Sequence, residues 1–463
     1  MNTDLARAQF ATTSVYHFLF VPITIGLAFL VAILETMWHR SGNDEYRRLT
    51  RFFGNLLVIN VVVGVVTGLV QEFQFGMNWS AYSRFVGDVF GGPLAMEGLA
   101  AFFLESTFLG LWLFGWGRLS KRVHLTCIWL VAVGSMLSAL FIIAANSWMQ
   151  HPVGYTINKS TGRPVLNDIG ALFTNPIFLW GYVHVILASL VMGALIMLAV
   201  SAWHLRREQD TTAFQRTAAA SIVVLVPAIA LTMFVGGRLG INETKYQPMK
   251  IAAAEAQWNT CQPCSFSAAQ IGGYSSTNQS TTKIIEIPHL LSLLATNSWN
   301  GQVVGLNELQ KQYVAKYGPG NYIPDVFIQY WSMRTMAYLA TLVLLFALYA
   351  AWLLHKKKLH RSRRFLRVAT WAFIAAFLMN TAGWLLTESG RQPWIVQGLM
   401  KTTSGVSPSV SSGTIWASLT VFVLLYLALG VADAVLMTRF ARKRLPSEST
   451  PADEDAEEPA LVY

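Results

Sequence analysis

The chain has 463 residues, 54% of them hydrophobic and only 13% charged, about half the ~25% usual in soluble domains. That balance excludes a string of soluble domains. The net charge of +10 does not mark a nucleic-acid binder either, because the basic residues fall in short clusters beside apolar runs. Three cysteines are too few for a disulfide framework. The opening MNTDLARAQF lacks a basic n-region and a small-residue cleavage site, and the apolar run after it is too long for a signal-peptide core. It therefore reads as a retained helix.

Crossing ~30 Å of hydrocarbon takes about 20 apolar residues. Nine runs qualify, at 14–38, 52–75, 93–116, 123–148, 176–203, 217–235, 326–354, 368–387 and 414–438. The fold class expected is an all-α polytopic membrane protein, with residues 1–445 forming one transmembrane helical domain. Alternate loops carry the basic clusters: Arg40 to Arg51, Arg118 to Arg122, Arg206 to Arg216, Lys356 to Arg367 and Arg439 to Arg444. The positive-inside rule then puts the N-terminus outside and the C-terminus in the cytoplasm. Between helices six and seven, residues 236–325 form a polar extracytoplasmic loop. Its Trp258, Ile284-Ile285 and Leu290-Leu291 argue for partial folding. Residues 446–463 read as a disordered acidic tail. Cys261 and Cys264 lie in the outer loop, where a local disulfide persists more readily than a metal or redox site would form.

Charge in hydrocarbon is costly, so each ionisable residue within a span is a functional candidate. His17, Glu97, Glu105, His184, Arg334 and Glu388 stand out, with Met336 as a thioether able to ligate haem iron. Taken singly, His17 and His184 read equally well as helix-packing histidines, and Met336 as core filling. All except Glu105 fall in the outer half of the membrane, which points to one connected site. Glu105 lies eight residues beyond Glu97 in helix three, ~12 Å nearer the cytoplasm and on roughly the same face. That is the layout of a proton relay.

The run Gly383-Trp384-Leu385-Leu386-Thr387-Glu388-Ser389-Gly390-Arg391-Gln392-Pro393-Trp394 resembles the GWxxxExGRQPW signature of subunit I of the cytochrome bd oxidases. Met96-Glu97-Gly98 with Ala101 to Ser106 resembles that family's third helix, and Gln247 to Glu255 the start of its quinol-binding loop. Trp331 to Met336 is similar to its Met-ligand segment. These motifs lie in order along almost the whole chain. The loop of about ninety residues resembles the short-loop members.

The resemblance implies a quinol:oxygen oxidoreductase holding two haem b groups, one low-spin and one high-spin, and haem d. His184 and Met336 would ligate the low-spin haem b, and Arg334 would balance haem propionates. His17 and Glu388 would be the axial ligands of the high-spin pair, either residue suiting either haem, with Glu97 beside the oxygen-reducing site. Lys250 and Glu255 would bind quinol and take its proton. Glu105, with Ser106 and Ser138, would carry cytoplasmic protons. Arg391, Gln392 and Trp394 would stabilise the haem cluster. The implied partners are a second integral membrane subunit (subunit II), with room for a small single-helix subunit, quinol (ubiquinol or menaquinol) and O2. The implied location is a bacterial cytoplasmic membrane. A haem b-only quinol oxidase, a haem b subunit serving a peripheral dehydrogenase and a secondary transporter are the alternatives. The scarcity of histidines in the spans disfavours the dehydrogenase partner. A transporter expects broken helices at the midplane, whereas these groups sit near the outer edge.

Overall fold

The computed structural model describes residues 2–446, so the acidic tail expected from 446 onward lies, beyond its first residue, outside the described residues. Among the described residues nine helices are long and apolar enough to cross a membrane. In chain order they are Asn2–Ser41, Asp44–Met77, Ser80–Phe114, Lys121–Gln150, Pro176–Arg206, Thr211–Tyr246, Val326–His355, Arg363–Gly390 and Ser412–Ala441, here helices one to nine. The chain is thus a mostly helical, multi-pass membrane protein. Even the 28-residue helix eight reaches about 42 Å, so every helix stands proud of the hydrocarbon.

Local chemistry sets many of the starts. Asn43, Ser120, Asn175, Asp325 and Ser411 each accept a backbone N–H of the first turn of helices two, four, five, seven and nine. Pro176 occupies the first position of helix five, where a missing N–H costs nothing.

Several helices outrun their hydropathy runs, helix one beginning at Asn2 and not 14 and helix two at Asp44 and not 52, and two further boundaries bear on the site. Helix three begins at Ser80, not at 93, because its first half is amphipathic. Tyr82, Val86, Val89, Phe90 and Pro93 form a buried stripe, while Arg84 and Asp88 lower its hydropathy. Helix six continues to Tyr246, not 235: Arg238, Leu239, Ile241, Glu243 and Lys245 are adequate helix formers, and the buried Glu243 is paired. The inserted loop therefore starts at 247.

Helix one is the hub, packed on helices two, four, five and nine, and two-thirds (67%) of its apolar window is buried within the chain. Helices one and five approach to backbone contact where Gly26 faces Gly193; a Cβ on Gly26 would lie 2.2 Å from the Ser189 carbonyl oxygen. Helices three and nine bury only 6% of their windows. The basic clusters meet at one end of the bundle, where Arg51 stacks on Trp116 and Lys121 on Trp38, at 4.6 and 5.2 Å, and Arg216 pairs with Glu45 at 3.1 Å.

The insertion at the opposite end is folded. It holds a short helix (Pro248–Ala254), a hairpin of Phe266–Gly272 with Thr281–Ile287, and helices Leu290–Thr296 and Leu306–Tyr317. Trp258, Leu306, Leu309, Tyr322 and Tyr330 form its core with Trp394. Cys261 and Cys264 are joined by a disulfide, and Leu291 is buried beside it. Ile284 and Ile285, expected to help the loop fold, are instead exposed on the outer strand.

Candidate functional site

The C-terminal turns of helix eight organise the candidate residues. Gly383 lies beside Met336: a Cβ there would sit 3.2 Å from the thioether sulfur. The next residue, Trp384, packs edge-on against Phe18, the residue after His17 on helix one, at 4.7 Å. Trp384 also packs on the Ile143–Ala144–Phe178 cluster, as does Val185, the neighbour of His184. One turn further on stands Glu388. The four proposed iron ligands thus come from helices that meet around this one segment.

Both histidines are anchored through Nδ1, and His184 is held in a defined tautomer. His184 Nδ1 lies 3.1 Å from the Thr232 carbonyl oxygen, which only accepts, so Nδ1 carries the hydrogen. His17 Nδ1 lies 3.0 Å from Thr67 Oγ1, whose own hydrogen goes to the Val63 or Gly64 carbonyl. The Thr67 oxygen is then free to accept from His17. With Nδ1 donating, Nε2 of each ring keeps a free lone pair, as a metal-ligating histidine oriented by a second partner requires. Glycine stands beside both rings. A Cβ on Gly68 would come within 3.1 Å of His17 Cε1, and one on Gly236 within 3.0 Å of His184 Cε1. The donors fit haem: two imidazole Nε2 atoms, a thioether and a carboxylate, each with small residues or polar partners close by. Buried donors nearby also lack partners, namely Arg391 Nε and Nη1, Trp394 Nε1 and Arg334 Nε. Such N–H groups suit the carboxylates of a haem.

Helix four is the ruler of the site. Gly134 accommodates Glu105, whose Cβ would lie 3.1 Å from a Cβ built there. One turn on, Ser138 donates to Glu97. Two turns further, Asn146 Nδ2 donates to Glu388 Oε1 at 2.7 Å. After another turn, Gln150 Oε1 accepts from Lys250 Nζ at 2.5 Å. Positions four residues apart share a face, while the row as a whole winds about 160° round the helix from Gly134 to Gln150. Ser138, which the resemblance groups with Glu105 and Ser106 as a proton carrier, thus bonds to Glu97. Ser106 Oγ turns back to the Phe102 carbonyl of its own helix, 2.8 Å away. Glu97 opens a π turn, Glu97–Phe102, just after Pro93 has interrupted the backbone ladder. A π turn rotates less per residue than an α turn, so Glu105 falls more nearly beneath Glu97 than a regular helix would put it.

The loop residues divide into two groups. Glu255 accepts from Arg334 Nη2 at 2.7 Å and lines a polar cavity of about 110 Å³ with Gln257, Ser267, Gln270 and Lys283. Burial pushes its carboxyl above the usual range, and the Arg334 guanidinium only partly offsets this. Arg334, expected to face a haem propionate, also donates to the Ala254 and Ser267 carbonyls and stacks on Tyr330 at 3.9 Å. Its Nε alone remains free of partners. Lys250 is not at the cavity. It is fully buried, pairs with Glu243 at 2.9 Å, and lies against Gly390, where a Cβ would come within 2.5 Å of its Cγ. Glu388 accepts from Arg391 through its second oxygen. Trp394 stacks on Tyr322 at 5.7 Å.

Four polar residues escaped the sequence reading, three of them buried and the fourth, Asn146, half-buried. Glu35 is buried in helix one, bound by Trp112 Nε1 and His124 Nδ1, each at 2.6 Å. A lone carboxylate inside an apolar run was signal enough to find it. Glu243 was hidden by the early end assigned to helix six. Asn146 and Gln150 are uncharged and carry no flag until their neighbours are known.

The family model for cytochrome bd terminal oxidase subunit I matches residues 5–445. The chain is 44% identical over 441 residues to cytochrome bd ubiquinol oxidase subunit 1 of Bacillus subtilis (strain 168), covering 95% of this chain and 93% of that one. It is 37% identical over 495 residues to cytochrome bd-II ubiquinol oxidase subunit 1 of Escherichia coli (strain K12), covering 95% and 96%. Among solved structures, the bd oxidase from Geobacillus thermodenitrificans superposes with a TM-score of 0.85 at 29% identity, over 95% of this chain and 98% of that chain.

Proposed function

Because the chain belongs to the cytochrome bd terminal oxidase subunit I family, and so to the haem-binding quinol oxidases, we propose that it oxidises quinol at the outer face and reduces O2 to water with protons from the cytoplasm. His184 and Met336 would hold a low-spin haem b. His17 and Glu388 would hold a high-spin haem b and haem d, either residue suiting either group. When bound, these groups supply the one-electron chemistry that links quinol to O2. The observation that carries the reading is the anchoring of both histidine rings, each with Nδ1 bonded to an oxygen and a glycine beside Cε1.

The chain's own residues handle the protons. Glu255, lining the cavity and steadied by Arg334, is placed to take a proton from a quinol hydroxyl. Glu105 and Glu97 stand in line along helix three, with Ser138 on Glu97, and would pass protons from the basic end of the bundle. Arg391 and Trp394 would hold haem carboxylates through donors that lack partners within the chain. Lys250 acts from behind the quinol site, through its bonds to Glu243 and Gln150. Quinol oxidised on one side and protons consumed from the other would separate charge without a pump. The setting is the bacterial cytoplasmic membrane, with the loop outside. Helices three and nine, little covered by this chain, leave apolar faces for lipid and for a second integral subunit.

Absorption spectra of the purified oxidase test this. Haem bands are expected, and a far-red chlorin band separates haem d from a third haem b. His184→Ala should remove the low-spin signal selectively; an unchanged spectrum refutes the ligand assignment.

A further inference from the structure

Lys250 and Glu388 lie on different elements, yet a continuous line of hydrogen bonds joins them. Lys250 Nζ reaches Gln150 Oε1 at 2.5 Å, Gln150 Nε2 reaches Asn146 Oδ1 at 2.8 Å, and Asn146 Nδ2 reaches Glu388 Oε1 at 2.7 Å. Gln150 and Asn146 are one turn apart on helix four, so a single helix face supplies both intermediate links. The sense of each amide follows from chemistry. An ammonium only donates, so Gln150 must present its oxygen to Lys250 and its nitrogen to Asn146. Asn146 must then accept through Oδ1 and turn its nitrogen to the carboxylate. The two amide dipoles therefore stand head to tail, from a cation to an anion, and each bond polarises the next.

We propose that Gln150 and Asn146 are positioning residues that couple the quinol-loop lysine to Glu388, so that the state of Lys250 sets how strongly the Glu388 carboxylate donates to iron. This rests on the reading of Glu388 as a haem ligand. Amides carry no readily released proton, so the line transmits polarisation and orientation, not protons. Glu243 neutralises the ammonium at 2.9 Å, which leaves little net field to act through space. The bonded route through Gln150 is then the dominant link. Gly390 keeps it short, because any side chain there would strike Lys250 Cγ and Gln329 Oε1 at 2.5 and 2.4 Å. Gln329 is itself bonded to Ser389 at 2.6 Å, which braces the same corner.

The test is a double-mutant cycle in the assembled oxidase, reading the reduction midpoint of whichever haem signal Glu388→Ala removes. Lys250→Met and Gln150→Met should each shift that midpoint, and the double variant should shift it no further than either alone. Lys250→Arg, which keeps the charge and the donors, should leave the midpoint in place even where the KM for quinol changes. The low-spin bands report correct assembly throughout. Additive shifts, or a midpoint indifferent to Gln150→Met, overturn the coupling alone. Should Glu388→Ala leave every haem band intact, the ligand reading falls and this inference falls with it.

Discussion

A buried carboxylate that must accept a proton works only while it is ionised, and for Glu255 burial makes ionisation harder than in water. Its carboxyl is held above the usual range, with Arg334 at 2.7 Å preventing a larger rise. The sign of the pH effect follows. As pH falls through this raised value Glu255 becomes protonated and, in its proposed role, can no longer take the quinol proton. Quinol oxidation should therefore decline on the acid side at a higher pH than an ordinary carboxylate would dictate. Glu255→Gln removes the acceptor while keeping the shape, and should lower the quinol-dependent kcat by about 100-fold, within the range typical of a lost general base. The acid limb should disappear from what activity remains. Steady-state rates across pH, with the haem spectrum as a check on folding, decide the matter. A variant that keeps the acid limb would move the titration to another group, such as one of the cavity's other residues.

Helices one, three and four are tied together near the basic end by a polar knot inside apolar packing. His124 Nε2 faces the Trp112 carbonyl at 2.9 Å and must carry a hydrogen, while Nδ1 faces Glu35 Oε1 at 2.6 Å, so one proton lies between the ring and the carboxylate. His124→Ala should cost about 3–5 kcal/mol, because it strands a fully buried carboxylate. Glu35→Gln keeps both a donor and an acceptor and should cost about 1 kcal/mol. Thermal inactivation midpoints of the purified complex should rank the two in that order; equal losses would mean the knot is not a charged one. Elements of this kind mark the limit of what the chain spells out beforehand. Nine spans are legible because twenty apolar residues in a row have no other stable home. The first half of helix three is not, since Arg84 and Asp88 lie opposite a buried stripe that hydropathy averages away. His17, His184, Met336 and Glu388 are legible as costly or sulfur-bearing groups in short motifs, and the bundle brings their neighbours together at Trp384. No residue type announces the π turn at Glu97, and the amides of Asn146 and Gln150 acquire meaning only once helix four is laid against Glu388 and Lys250.

At the scale of the whole molecule, sidedness is the property that turns chemistry into stored energy. The basic clusters share one end of the bundle and the folded loop with Glu255 occupies the other, so the positive-inside rule, applied to this arrangement, puts Glu255 outside. Glu105 lies on the basic side of Glu97 by eight residues of helix three, which makes it the nearer of the two to the basic end of the bundle. Oxidation of two quinols by one O2 releases as many protons as water formation consumes. If release and uptake occur on opposite faces, each electron transferred separates one charge although no proton is pumped. In sealed vesicles carrying the oxidase in a single orientation, quinol-driven O2 uptake should generate a potential positive on the loop side and acidify that side. Glu105→Gln should slow both together, because potential and turnover would draw on the same protons. Oxygen uptake at full rate with no potential would place both half-reactions on one face, and the carboxylates of helix three would then need another role.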